Sequence, residues 1–233
     1  MSNVIRVYDF ENTDLEPPGE VIEVGYCDVI QHANGWAVQR PVSWLCGSDQ
    51  PMTPGARSAH HIRPEEIAGL APYVAADMWE RAKVEGIAVV AAHNASHEAK
   101  FWGEPALPVI CTMKAAMRVW PEAPSFANGA LRYWLEDQGL TAPDHALTMP
   151  PHRAGPDAYV TAWTLAALLN RVTAREMVAW QREPCAWPTC PIGEWRGKPW
   201  AEVDAGFLSW MIRKPVEPDL VWNAQRELDR RAA

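Results

Sequence analysis

The stretch Ile5-Arg6-Val7-Tyr8-Asp9-Phe10-Glu11 sets a short apolar run against two carboxylates at its end. As a strand it sends Asp9 and Glu11 to the same face, about 5 to 7 Å apart. Two like charges at that separation repel unless a cation sits between them. The pair alone is a weak signal, because a solvated strand end looks the same. The remainder of the chain narrows the fold. Residues 21–30 and 36–45 read as the next two strands, joined around Asn34-Gly35, a hairpin signal. Residues 51–61 read as loop, and 64–70 and 73–84 as helices. A short apolar strand at 87–92 leads through Asn94 into a helix ending near Phe101. A brief strand at 109–110 precedes a helix at 112–119. Ser125 caps a further helix over 125–138, and 157–169 is a long apolar helix. Three early strands followed by strands mixed with helices predict an α/β domain on a mixed sheet.

Residues 182–191 hold three prolines and two cysteines and mark a break. The expected units are therefore 1–181 and a small module over 182–233, with helices at 205–212 and 221–231. Roughly 45 residues is below the size that folds well alone, so the module should lean on the first unit. Five cysteines without regular spacing fit reduced thiols rather than a disulfide framework or a structural zinc site. No apolar run approaches the roughly 18 residues that span a bilayer, and the start of the chain lacks the parts of a signal peptide. A cytoplasmic protein is expected. The net charge is −8, and the last 49 residues carry seven acidic and seven basic side chains, so the acidity lies in the first unit. That disfavours broad coating of duplex DNA, but not an enzyme that grips a few phosphates through bound cations.

Two further groups carry chemistry. His152-Arg153-Ala154-Gly155-Pro156-Asp157 enters a helix, where Pro156 suits the first turn and Asp157 is favoured by the helix dipole. A capped helix with a surface histidine explains that segment equally well when it is taken alone. His93-Asn94-Ala95-Ser96-His97-Glu98 follows a strand and puts Glu98 in a first helical turn. Glu98 could close a carboxylate cluster if this strand lies near the first one. His93 and His97 are four apart, but Asn94 stands where a zinc hydrolase has glutamate. Among the thirteen tryptophans, Trp134 and Trp163 read as packing. Trp195 and Trp200 lie near Arg196 and Lys198, and could either stack on bases or form a small aromatic core.

Taken in order, Asp-x-Glu, His-Asn-Ala-x-x-Glu and His-x4-Asp resemble the DEDDh group of the DnaQ-like 3′–5′ exonucleases. Residues 110–114, 118–121, 128–131, 193–198 and 207–210 resemble the exodeoxyribonuclease X branch of that family, so the likeness spans nearly the whole chain. It implies an RNase H-like mixed sheet flanked by helices, and an enzyme that removes nucleoside 5′-monophosphates from the 3′ end of DNA. It further implies two Mg²⁺ or Mn²⁺ ions held by Asp9, Glu11, Glu98 and Asp157. Asp9 would bridge them, Glu11 and Asp157 would hold the ion carrying the attacking water, and Glu98 would serve the other. His152 would be the general base, a role that suits a side chain titrating near neutrality. Thr13 and Leu15 would meet the terminal nucleotide, with His60 and Asn94 as substrate neighbours. The implied partner is single-stranded DNA or a DNA 3′ end, with no membrane. RNA trimming by the same fold is the nearest rival, and a weakened nucleic-acid-binding subunit is a non-enzymatic one. Three positions depart from the family pattern. Glu98 replaces aspartate, His97 replaces phenylalanine, and Asn12-Thr13-Asp14 stands where the family has Thr-Gly. Loss of that glycine is expected to restrict the turn.

Overall fold

The computed structural model describes residues 3–214 and 216–232, so the outermost residues of the two expected units lie outside it. The strands are β1 (Val4–Asn12), β2 (Val21–His32), β3 (Gly35–Val38), β4 (Val42–Leu45), β5 (Val89–Ala92) and β6 (Val109–Cys111). Between β4 and β5 come α1 (Pro54–His60), α2 (Pro64–Ile67) and α3 (Ala75–Val84), and α4 (Ala95–Trp102) joins β5 to β6. After β6 come α5 (Thr112–Val119), α6 (Asn128–Asp137), α7 (Ala154–Leu169), α8 (Ala174–Gln181), α9 (Ala205–Arg213) and α10 (Pro218–Ala232). The sheet runs β3-β2-β1-β5-β6, with β4 also paired to β2. β2 is antiparallel to β1, β3 and β4, whereas β5 is parallel to β1 and β6. The mixed sheet expected from the order of elements is present.

Four local expectations need correction. Residues 36–45 form two strands, because Pro41 cannot donate to a ladder and the chain breaks there. The expected loop at 51–61 contains α1, which starts on a Thr53 cap with Pro54 in its first turn. The Ser125 cap is displaced: α6 begins at Asn128, and Ser125 Oγ instead accepts from the Ala127 N–H at 3.3 Å. Helix α8 is an addition to the expected elements, and Thr173 and Glu176 form a capping box at its start.

β1 alternates between two cores. Ile5 and Val7 pack with α7 residues such as Ala158, Ala162 and Leu165, whereas Tyr8 and Phe10 pack with Trp79 of α3 and Trp102 of α4. Period-two alternation then places Asp9 and Glu11 on the α7 side of the sheet. Helix α7 is apolar nearly all round, because β1–β3 cover one side and α5 and α6 the other. Its first turn presses on β2 at Gly25, where an added Cβ would lie 2.1 Å from the Ala154 carbonyl.

Beyond residue 184, Cys190, Trp200, Val203, Leu208, Met211, Leu220 and Ala224 form their own small core. This segment touches the rest where the buried Cys185 thiol meets Met117 Sδ at 3.2 Å, and the link before it is held by Lys114 and Arg118, which bond Glu183. Trp200 is buried and donates its indole N–H to the Trp187 carbonyl, and Trp195 packs on the same core. Base stacking by Trp200 is thereby excluded in favour of the aromatic core. Trp134 and Trp163 make edge contacts with Trp120 and Tyr159. All five cysteines are free and buried. Among the described residues no helix is long and apolar enough to cross a membrane.

Two glycines test the docking of α7. Gly25→Ala drives a methyl group into backbone and should destabilise the fold by about 1–3 kcal/mol. Gly129, in the first turn of α6, has nothing within 4 Å of a built Cβ. Gly129→Ala should be neutral or stabilising by about 0.5–1 kcal/mol. Urea denaturation midpoints of the two variants check both.

Candidate active site

Asp9 and Glu11 come from the carboxyl end of β1, and Asp157 from the first turn of α7. One oxygen from each lies within 4.8 Å of the others, and all three side chains are half-buried. Burial pushes the Asp9 carboxyl well above its usual range, and repulsion from Asp157, Glu11, Glu98 and Glu23 adds to it. Glu11 rises to about 8 through burial, then through Asp157 and Glu23, with Arg153 opposing. Burial also raises Asp157, although the backbone N–H of His152 donates to its Oδ2 at 3.1 Å. Glu98 lies in the first turn of α4 and is only 4% exposed. It stands outside the 4.8 Å group, yet its charge weighs on Asp9. Its Oε2 is buried without a partner, and burial lifts it to about 8.

His152 is exposed at the edge of this cluster and holds φ +57°, left-handed backbone that few non-glycine residues adopt. Asn94 takes the same conformation at the start of α4, half-buried, and its Oδ1 accepts from Ser96. Leu15 is 68% exposed on the loop after β1. Thr13 is 1% exposed: its Oγ1 accepts from the Glu20 N–H at 2.9 Å, and its carbonyl accepts from the Thr53 N–H. The expected polar contact between Thr13 and a nucleotide therefore has almost no surface to form on. His60 is likewise buried, and its Nδ1 accepts from the Ile62 N–H at 2.9 Å. It braces the α1–α2 turn rather than facing outward.

The departures from the family pattern have a local logic. Asp14 is not left-handed, so its turn needs no glycine there. Asn12 Nδ2 lies 3.5 Å from His97 Nε2, which links two of the three departures in space. His93 is pinned between Thr112 and the Phe126 carbonyl, so it is a structural residue and not a ligand.

Three contributors escape a reading of motifs. Asn128 donates to the Asp157 carbonyl at 3.2 Å and accepts from Thr161. Gly25 lies opposite Asp9 in register. Glu23, opposite Glu11, receives a fork from Arg153 at 2.8 and 2.9 Å. A glutamate inside the apolar run Val21-Ile22-Glu23-Val24 was the available signal, since a buried charge needs a partner.

Raised carboxyl pKa values make folding bind protons. The stability these carboxyls contribute should therefore be fully present below the ordinary value of 4.5 and be lost as pH rises through about 8. Calorimetry in EDTA should show the melting temperature dropping across that window. Asp9→Asn removes a repelling charge and should raise it at the upper end, by about 2–4 °C per kcal/mol gained.

No family model matches the chain. It is 29% identical over 230 residues to exodeoxyribonuclease 10 of Escherichia coli strain K12, covering 93% of this chain and 95% of that protein. Exonuclease X, solved in complex with 5′ overhanging duplex DNA, superimposes with a TM-score of 0.60 at 29% identity. That match covers 76% of this chain and 98% of the other. A full-length 3′-exonuclease shares the fold at 15% identity, with a TM-score of 0.56 over 72% of this chain and 61% of its own. A mixed sheet with helices on both sides and an acidic cluster at the end of its first strand accompany this likeness: the chain is similar in sequence to exodeoxyribonuclease 10 and in sequence and fold to exonuclease X.

Proposed function

We propose that the chain is a metal-dependent 3′–5′ exonuclease that hydrolyses DNA from its 3′ end to nucleoside 5′-monophosphates. The observation that carries this reading is the convergence of Asp9, Glu11 and Asp157 within 4.8 Å, with His152 at their edge. The donor set fits divalent cations. All four carboxylates offer hard oxygens, the preferred ligands of Mg²⁺ and Mn²⁺. Three carboxyls raised by burial first and by repulsion from neighbouring carboxylates second, and a buried Glu98 oxygen without a partner, suit added positive charge. Asp9, Glu11 and Asp157 would hold one ion, and Asp9 with Glu98 a second. Bound there, such ions supply Lewis acidity that activates water and neutralises phosphate charge.

The protein's own groups do the rest. An imidazole nitrogen of His152 takes the proton of the attacking water. Asp157 Oδ2, by accepting the His152 backbone N–H, fixes the segment from which that imidazole projects. Leu15, exposed on the loop after β1, stacks on the terminal base, and Asn94 borders the substrate. Thr13 and His60 act one step back, holding the loops that carry them. Residues 1–181 carry this activity, and 182–233 form a small appended module.

The test is a 5′-labelled single strand, as DNA and as RNA of one sequence, incubated with Mg²⁺. DNA should shorten progressively from the 3′ end, stop on addition of EDTA, and outpace RNA. Asp9→Ala should abolish turnover, and His152→Ala should lower kcat by about 10²–10⁴-fold. Unchanged activity in Asp9→Ala would end the proposal, and faster RNA cleavage would replace its substrate.

A further inference from the structure

Glu23 and Arg153 form the one ion pair that ties the sheet to the His152 segment among the described residues. Glu23 is 2% exposed in its side chain and lies near the start of β2, whereas Arg153 is one-third exposed. The guanidinium forks onto both carboxylate oxygens, Nε to Oε2 at 2.8 Å and Nη2 to Oε1 at 2.9 Å. Oε2 also accepts the Ala154 backbone N–H at 3.2 Å. One carboxylate thus binds the side chain of the residue after His152 and the backbone of the next. On the other side the His152 N–H is held by Asp157 Oδ2. Between these two anchors His152 is kept left-handed, and Gly25 lets Ala154 come close enough for the geometry to close. A planar fork fixes direction as well as distance, which a lysine could not do.

We propose that Glu23 and Arg153 are positioning residues: together they lock residues 152–154 so that the His152 imidazole faces the carboxylate cluster. This rests on the exonuclease reading of the site. The rival is direct: Arg153 could leave Glu23 and grip a substrate phosphate itself.

Steady-state kinetics on 5′-labelled single-stranded DNA with Mg²⁺ separate the two. If the pair positions His152, Glu23→Gln and Arg153→Gln should each lower kcat at least tenfold with KM within about twofold. The double variant should be no worse than either single one, because one lock is lost in all three. Arg153→Lys keeps the charge, loses the fork, and should recover only part of kcat. Amide hydrogen exchange at His152 should quicken in Glu23→Gln while exchange in β5 and β6 stays unchanged, which a general loss of stability would not produce. A raised KM in Arg153→Gln with wild-type kcat in Glu23→Gln would overturn the proposal in favour of phosphate binding. Wild-type kcat in both single variants would overturn it outright. If Glu23→Gln does not fold, Arg153→Lys and Arg153→Gln decide alone, since that side chain is partly exposed. An inactive wild-type protein would sink the exonuclease reading instead, and the exchange data would still report on the lock.

Discussion

The approach of α7 to the sheet at Gly25 governs everything at the site. Asp9 and Glu11 belong to β1 and Asp157 to α7, and these elements are about 150 residues apart in sequence. Their carboxylates can share a cation only if the helix start lies directly on the strands. Any side chain at position 25 would meet the Ala154 backbone. The apolar length of α7, covered on both sides, supplies the burial that holds it there. Asn128, Glu23 and Arg153 then set the orientation of its first turn.

The same packing creates an electrostatic cost. Four carboxylates are gathered where water is scarce, and each is pushed toward its protonated form. Without a counter-ion this is unfavourable, and the cores on both faces of the sheet must offset it. Sites that bind multivalent cations share this feature, because a bound cation offsets the repulsion that weakens the empty fold. The buried Arg6, forked onto Asp28 at 2.7 and 2.8 Å and also bonded to Glu85, shows the opposite solution on the same strand. Its charge is matched inside the protein by these two carboxylates.

Much of this is legible from residue order. The strand run ending in Asp9 and Glu11, the strand before Asn94 and the helix opening at Asp157 read directly, because side-chain period and turn residues act locally. The capping signals of α1 and α8 are also local, although weaker than the apolar patterns around them. What residue order does not carry is partnership. The burial of Thr13 and His60 depends on the α1 region folding back over the end of β1, where the Thr53 N–H reaches the Thr13 carbonyl. Trp200 sits beside basic residues in sequence, yet its indole closes a core with Trp187.

The amino-acid sequence by itself determined which carboxylates exist, that Asp9 and Glu11 share one strand face, and that a histidine precedes Asp157 by five positions. These features come from spacing and backbone period alone. Only the tertiary structure decided that Glu98 stands apart from the other three, and that Arg153 is the partner through which the buried Glu23 anchors the segment bearing His152. The reason is physical. Alternation along a strand fixes direction, but distance between elements comes from how closely their backbones pack, and at Gly25 that is set by an absent side chain.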